Sequence, residues 1–298
     1  MYARLVKAPR NAISLDVCST PGDASARIAE AEILYAWKFP SHLLAKARRL
    51  RWIQAMGAGV EGFLGAQLPS RVIVTRATGM FGAWMAEYTL GWCLWVTQRM
   101  EALREAQRQR VWRALDPEPL HGRTLTIVGL GDIGSAIARA GKALGMRVIG
   151  VSRGGRKIRG VAAVYRPSAI SRALGQADFV VTVLPLTEET RGLIGEAELR
   201  AMKASAWLIN IGRGPVINET ALVGALTERR IAGAILDVFD TEPLPPDHPL
   251  WALPNAVITP HIAGPSVPGE IAPVFNDNLR HYLAGRRLRF VVDRSRGY

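Results

Sequence analysis

The chain has 298 residues, 49% of them apolar and 21% charged, with 29 Gly and 18 Pro; it can bury one large core or two moderate ones, which excludes a disordered, collagen-like or coiled-coil protein. Thirty-eight Lys and Arg against 25 Asp and Glu leave a net charge of +13, which attracts polyanions, whether nucleic acid, anionic lipid or a phosphorylated small molecule, without choosing among them. Two cysteines, Cys18 and Cys93, stand in no Cys-x-x-Cys spacing, so neither a disulfide framework nor a metal site is expected and a reducing compartment is the default.

The longest apolar stretch, near Trp92, is interrupted by Glu87 and Arg99 and falls short of the roughly 20 residues of a membrane span. Arg4, Lys7 and Arg10 precede no long apolar run of the signal-peptide kind. A soluble, cytoplasmic protein is therefore expected.

In chain order, residues 13–17, 33–37, 52–55 and 72–75 read as short strands of a small α/β unit, followed by a long helix over 84–112. From Leu120 to His261 one theme repeats: a β-branched run, a Gly or Pro break, then an amphipathic stretch. Strands are predicted at 124–128, 147–151, 178–184, 207–211, 233–239 and 256–259, and helices at 133–144, 196–202 and 218–229, the last with Asn218 as its cap. Apolar runs without alternation suit strands covered on both faces, hence a parallel sheet. A final helix over 268–284 precedes a basic tail and is expected to return onto the N-terminal unit.

Gly129-Leu130-Gly131-Asp132-Ile133-Gly134 follows the first of the later strands and opens a helix. In G-x-G-x-x-G the first glycine permits a tight turn, the second lets backbone approach a pyrophosphate, and the third allows close helix–sheet packing. A plain tight turn is the competing reading. An NAD-type site places an acid about 20 residues further on, yet no carboxylate stands between Asp132 and Asp178, while residues 133–177 carry nine cations. Ser152-Arg153, with Arg156 and Lys157 behind, suits a 2′-phosphate, so NADPH (NADP+) is expected as cofactor in preference to NADH. Solvated arginines are the alternative for Arg156 and Arg159.

Three further segments end predicted strands on the same side: Asn210-Ile211-Gly212-Arg213-Gly214-Pro215, Leu236 through Glu242-Pro243-Leu244-Pro245, and Thr259-Pro260-His261-Ile262-Ala263-Gly264. Leu184, Pro185, Ile211, Gly212 and Asp237 are expected neighbours of the cofactor. Reduction of a 2-keto acid needs a cation for the carboxylate and keto oxygen, a proton donor, and a carboxylate to orient that donor. Arg213, His261 and Glu242 supply one of each. His42, His121, His248 and His281 have no comparable setting and read as surface or packing residues.

These segments together resemble the D-isomer-specific 2-hydroxyacid dehydrogenase family over nearly the whole chain. Trp37, Thr78-Gly79-Met80, Glu87-Tyr88, Ser152-Arg153 and the ending from Val292 to Tyr298 are similar to its glyoxylate/hydroxypyruvate reductase A branch. The resemblance implies a two-domain, usually dimeric reductase that reduces glyoxylate or hydroxypyruvate with NADPH, with His261 as general acid, Glu242 as its partner and Arg213 as the substrate-binding cation. It also implies substrate contacts from the loop Gly57-Ala58-Gly59 and from Trp37 and Met80, for which a plain turn and core packing are the competing readings. Glu61 stands where many relatives have Asp. The fold expected is α/β: a Rossmann-type doubly wound parallel sheet inserted in a smaller flavodoxin-like α/β substrate domain. The substrate-binding domain is expected to span 1–82 and 264–298 and the dinucleotide-binding domain 83–263, with the active site in the cleft between them. Met1 to Leu5 reads as the tail of a helix, so the opening strand of the small domain is expected to be missing.

Two alternatives remain open from the sequence. One is a non-catalytic dinucleotide-sensing module that binds a protein or nucleic-acid partner; no helix-turn-helix, zinc finger or aromatic-basic stripe supports nucleic acid. The other is a dehydrogenase of the same fold with another 2-hydroxy acid, formate or phosphite as substrate.

Overall fold

The computed structural model describes residues 1–8, 12–64, 68–155 and 158–298. They divide into two compact units, one formed by Met1–Met80 with Pro265–Tyr298 and the other by Phe81–Gly264.

In the smaller unit, helix α1 (Pro21–Arg27) begins at Thr20, whose side chain accepts from the Asp23 amide while the Asp23 carboxylate takes the Thr20 amide, a reciprocal cap that satisfies two otherwise orphaned donors. Strand β1 (Ile33–Ala36), the single-turn helix α2 (Ser41–Leu44), strand β2 (Trp52–Ala55) and strand β3 (Ile73–Thr75) follow, and the strands pair in parallel in the order β1-β2-β3. The central β2 is wholly buried. Because successive side chains point to opposite faces, Ile53 and Ala55 pack with Leu44, Val60, Phe63 and Val74, whereas Trp52 packs with Phe275, Leu279 and Leu288. Phe275 belongs to the C-terminal helix (Pro268–Leu283), and its ring stacks on Tyr35 at 4.1 Å and on Trp52 at 5.3 Å between centroids.

The same face buries a polar group, Gln54, and satisfies it. Gln54 Oε1 accepts from Thr75 Oγ1 at 2.8 Å and from Asn278 Nδ2 at 3.0 Å, its Nε2 donates to the Ala55 carbonyl, and Trp52 Nε1 donates to Thr75 Oγ1. Residues 13–17, expected as a strand, form none. Leu15 and Val17 are exposed, and only Ile13 packs, against the Trp52–Phe275 cluster. Alternation marks a strand only where a neighbour supplies the ladder, and among the described residues β2 is the only strand paired with β1.

In the larger unit, helices α3 (Phe81–Thr97) and α4 (Met100–Arg108) replace the single helix expected over 84–112. The break has a tertiary cause. The Thr97 carbonyl accepts from the Glu118 amide, Gln98 and Arg99 side chains bond the Glu118 and Asp116 carbonyls, and Arg99 turns left-handed at φ 53°.

Strand β4 (Thr124–Val128), helix α5 (Asp132–Ala143), strands β5 (Arg147–Val151) and β6 (Ala163–Tyr165), helix α6 (Ile170–Leu174), strand β7 (Phe179–Thr182), helix α7 (Glu196–Ala201), strand β8 (Trp207–Asn210), helix α8 (Glu219–Thr227) and strands β9 (Gly233–Leu236) and β10 (Ala256–Ile258) complete the unit. The sheet is parallel throughout, in the order β10-β9-β8-β7-β4-β5-β6. This is the doubly wound parallel arrangement expected. β4, β7 and β9 are buried along their whole length, as helices on both faces require. Strand order reverses at β4, so the crevice beyond its carboxyl end, between β4 and β7, is the topological switch point where ligands bind in such sheets.

Candidate active site

The glycine segment sits at that switch point. Gly129 leaves β4 at φ +112°, a left-handed turn that side chains disfavour, and a Cβ there would lie 2.6 Å from the Val183 carbonyl oxygen. Gly131 caps α5 and is exposed, with open space where a side chain would be. At Gly134 a Cβ would collide with the Gly129 carbonyl, so only glycine lets α5 start this close to the turn. Leu130 and Ile133 are partly buried and Asp132 is exposed in the first turn of α5. An open backbone at the N-terminus of a 12-residue helix, over the switch point, fits a pyrophosphate.

At the end of β5, Ser152 donates its amide to Tyr165, and the exposed Arg153 guanidinium lies 3.4 Å from Glu189. Glu189 is an acid that the local sequence reading around Arg153 missed, because it comes from the loop after β7. Lys157, like Arg156, lies outside the described residues. Leu184 and Pro185 follow β7; the Pro185 carbonyl accepts from Thr190 Oγ1 at 2.7 Å. Ile211 and Gly212 follow β8 and are buried, and a Cβ on Gly212 would press within 3.0 Å of Leu184 backbone, so the two loops meet main chain to main chain.

The turn bearing Arg213 is built by Asn210. This side chain is 1% exposed; its Oδ1 accepts from Thr182 Oγ1 and the Gly212 amide, and its Nδ2 donates to the Arg213 carbonyl. Arg213 is partly exposed and its guanidinium reaches the Gly212 carbonyl at 2.7 Å. The next residue, Gly214, has no room for a Cβ against the Phe239 backbone, which brings the loop after β8 onto the loop after β9.

That second loop carries Glu242. Its Oε1 accepts from the Phe239 amide at 3.2 Å, and its Oε2 lies 2.8 Å from His261 Nδ1. A carboxylate only accepts, so Nδ1 carries the hydrogen and Nε2 is left as the second ring nitrogen. His261 is left-handed at φ 56°, a conformation that costs about 1–3 kcal/mol for such a residue. Asp237 holds it there: its carbonyl accepts from the His261 amide, and its carboxylate takes the Ile262 and Ala263 amides, each at 2.8 Å. Thr259 Oγ1 donates to the same carboxylate at 2.6 Å and pairs with Tyr88 Oη, also at 2.6 Å. Burial pushes the Tyr88 hydroxyl up to about 12, so it remains a neutral donor at ordinary pH. Asp237 was expected beside the cofactor; its carboxylate here organises the His261 turn.

The glycine segment, Arg153, Arg213, Asp237, Glu242 and His261 follow the carboxyl ends of parallel strands β4, β5, β8, β9 and β10 and therefore share one end of one sheet, which Tyr88 reaches from α3. In the smaller unit, the loop Gly57-Ala58-Gly59 follows β2, and the Trp37 ring leans on Gly57, 3.5 Å from where its Cβ would be. Arg76 reaches the Ala58 carbonyl at 3.4 Å, and Met80, at the end of that unit's first segment, is partly buried. Among the described residues no group of three or more His, Cys, Asp or Glu side chains is placed to hold a metal, and no helix is long and apolar enough to cross a membrane.

The profile of the D-isomer specific 2-hydroxyacid dehydrogenase NAD binding domain matches residues 90–263. A protein named glyoxylate/hydroxypyruvate reductase A from Serratia proteamaculans is 34% identical over 276 residues, covering 90% of this chain and 88% of its own. Among solved structures, a D-isomer specific 2-hydroxyacid dehydrogenase family protein from Aeromonas salmonicida superposes with a TM-score of 0.87 at 41% identity, over 93% of this chain and 90% of that one. An NADPH-dependent glyoxylate/hydroxypyruvate reductase from Sinorhizobium meliloti, solved in complex with NADP and sulfate, gives a TM-score of 0.84 at 31% identity, over 90% and 87%. With more than half of its length matched by the family profile and relatives above 30% identity across most of both chains, the chain belongs to the D-isomer specific 2-hydroxyacid dehydrogenase family.

Proposed function

We propose that the protein reduces small 2-keto acids with NADPH, converting glyoxylate to glycolate and hydroxypyruvate to D-glycerate. The observation that carries this reading is the His261–Glu242 pair at 2.8 Å, at the same end of the sheet as Arg213 and the open Gly131 turn. The names of the Serratia and Sinorhizobium relatives support the substrate class, and the NADP held by the latter supports the cofactor. NADPH, when bound, supplies hydride to the keto carbon. Gly131 and the first turn of α5 hold the pyrophosphate, and Arg153 meets the 2′-phosphate. The Arg153–Glu189 pair is exposed on both sides, at 50% and 71%; pairs of this kind are worth about 1 kcal/mol or less, so a doubly charged phosphate displaces Glu189 readily. Leu184, Pro185, Ile211 and Gly212 line the cofactor.

Arg213 binds the substrate carboxylate and polarises the keto oxygen. His261 gives the Nε2 proton to the oxygen as it becomes an alkoxide, and Glu242 steadies the ring and its positive charge beforehand. Hydride on carbon and proton on oxygen complete the two-electron reduction. The Gly57-Ala58-Gly59 amides, Trp37 and Met80 are assigned to the substrate on the family resemblance. A panel of glyoxylate, hydroxypyruvate and bulkier keto acids, each with NADPH and NADH, tests the reading; turnover of none of them, or NADH preferred throughout, overturns it.

We further propose a homodimer. Met100, Leu103, Val111 and Trp112 are exposed on α4 and the segment after it, Trp112 at 99%, a concentration of apolar surface typical of interfaces. Light scattering after size exclusion at twice the chain mass supports it, and a monomeric mass overturns it.

A further inference from the structure

The residues that hold His261 are themselves held. Between β9 and the turn at Pro249 the chain runs from Asp237 to His248 without helix or strand, and this irregular stretch carries Glu242. A segment of that kind has many conformations available, so something outside it must fix the carboxylate opposite His261.

Glu219, the first residue of α8, reaches two points of the stretch. Its Oε2 accepts from the Asp240 amide at 3.4 Å, and its Oε1 lies 2.9 Å from His248 Nε2. His248 Nδ1 accepts from the Leu250 amide at 3.3 Å, which leaves the ring hydrogen on Nε2, donated to Glu219. Both side chains are largely covered, with 18% and 22% exposure. Asp240 feels both side chains: burial first, then the Glu219 carboxylate, raises its carboxyl, while Arg191 and His248 lower it. The two contacts bracket Glu242, one on the residue two before it and one on the residue six after it. Trp251 Nε1 and the His248 amide both donate to the Pro245 carbonyl and tighten the same end.

We propose that Glu219 and His248 are positioning residues for the reaction, forming a strap that sets the Glu242 carboxylate against His261 Nδ1. The inference rests on the proposed reaction for its kinetic arm only. Glu219 and His248 touch no reacting atom; they act through Glu242, so their loss weakens the step that uses the proton and spares cofactor binding.

The test compares Glu219→Ala, His248→Ala and His248→Gln with Glu242→Gln. In the free protein, the His261 ring resonances, identified by their disappearance in His261→Ala, are expected to move in Glu219→Ala and His248→Ala toward their position in Glu242→Gln. In turnover, kcat is expected to fall about tenfold with the KM for NADPH within about twofold. His248→Gln, which keeps a donor toward Glu219, should recover most of the loss. If Glu219→Ala fails to fold, Glu219→Gln, which keeps an acceptor for His248 but offers none for the Asp240 amide, takes its place. Resonances that stay at the wild-type position, or a kcat loss that follows only the fall in folded fraction, overturn the strap. Should the wild-type protein turn over no keto acid, the proposed reaction fails and the resonances alone decide the strap.

Discussion

His261 Nδ1 and Glu242 Oε2 stand 2.8 Å apart, and the His261 backbone is pinned in its left-handed turn by Asp237. In the proposed reaction the pair leaves Nε2 to transfer the proton. Replacing His261 by Ala removes the donor, and a loss of about 10²–10⁴ in kcat is expected, the usual contribution of a general acid. Glu242→Gln keeps an oxygen acceptor and removes the charge that supports the protonated ring, so a smaller loss, about 10–10², is expected. NADPH affinity measured by nicotinamide fluorescence should be unchanged in both. Steady-state NADPH oxidation with glyoxylate checks the order; full activity in His261→Ala removes it from the chemistry.

Two glycines of the phosphate loop make opposite predictions. A Cβ at Gly131 meets nothing within 4 Å, whereas a Cβ at Gly134 collides with the Gly129 carbonyl. Gly131→Ala should therefore keep the wild-type melting temperature within a few degrees and lose NADPH affinity, because the methyl group fills the space the pyrophosphate needs. Gly134→Ala should melt markedly lower even without cofactor, since α5 must shift away from β4. Equal melting temperatures for the two variants contradict this account of the turn.

Arg153 lies two residues beyond the end of β5, where an acid would select NADH. Arg153→Asp places a carboxylate where the ribose 2′ position is expected and repels a 2′-phosphate, so the ratio of kcat/KM for NADPH over NADH should fall by about 10²-fold or more. Glu189→Gln, which removes only a competitor of that phosphate, should raise NADPH affinity about twofold at low salt and not at high salt. An unchanged cofactor ratio in Arg153→Asp takes this residue out of 2′-phosphate recognition.

Much of the large sheet was legible because parallel strands covered on both faces are continuous apolar runs ended by glycine or a polar residue. The predicted ranges 124–128 and 147–151 coincide with β4 and β5. β6, three residues long and only partly buried, and α6, five residues long, carry too short a period to register. The break between α3 and α4 was hidden because it depends on the Glu118 amide, some 20 residues away, rather than on local propensity. Site residues divide in the same way. Arg213, Glu242 and His261 stand out by residue type at strand ends, whereas the parts played by Asn210, Thr259, Tyr88 and Glu219 become visible only when hydrogen bonds join distant segments. His248 reads from the sequence as a surface or packing residue; in the structure it pairs with Glu219.

Asn278 makes a comparable prediction for the smaller unit. It is fully buried, donates to Gln54 Oε1 and the Arg289 carbonyl, and accepts from the Arg289 amide at 2.8 Å. Asn278→Leu preserves the volume but strands the Arg289 amide and carbonyl and removes one of two donors from Gln54. Leaving buried polar groups unpaired costs about 1–3 kcal/mol each, so urea unfolding should show a loss of about 2–4 kcal/mol. A loss within about 0.5 kcal/mol, the range of ordinary surface substitutions, contradicts the network's role.

The tyrosines set a limit on stability at high pH. Tyr88 and Tyr282 are each raised from 10.0 to about 12, and Tyr35 is raised further, with burial the first cause in all three; burial also raises the Cys93 thiol. In each case the folded state keeps its proton at a pH where the unfolded chain has released it. Above about pH 10 the unfolded state therefore binds fewer protons than the native one, and the free energy of unfolding decreases as pH rises. Stability from the tyrosines is complete below their unfolded value of 10.0 and is lost progressively as pH climbs through about 12, while that from Cys93 begins to be lost from its lower unfolded value of 9.0. Melting temperature should be level near pH 8, decline gently from about 9 as the unfolded Cys93 thiol ionises, and fall steeply beyond 10. Tyr88→Phe should flatten part of that fall, since Phe has no proton to lose, at the expense of the bond to Thr259 near neutral pH. Tyrosinate absorbance near 295 nm, followed in the same titration, should rise for a subset of the six tyrosines only as the protein unfolds. Full ionisation of all six while the protein remains folded would contradict the burial of these hydroxyls.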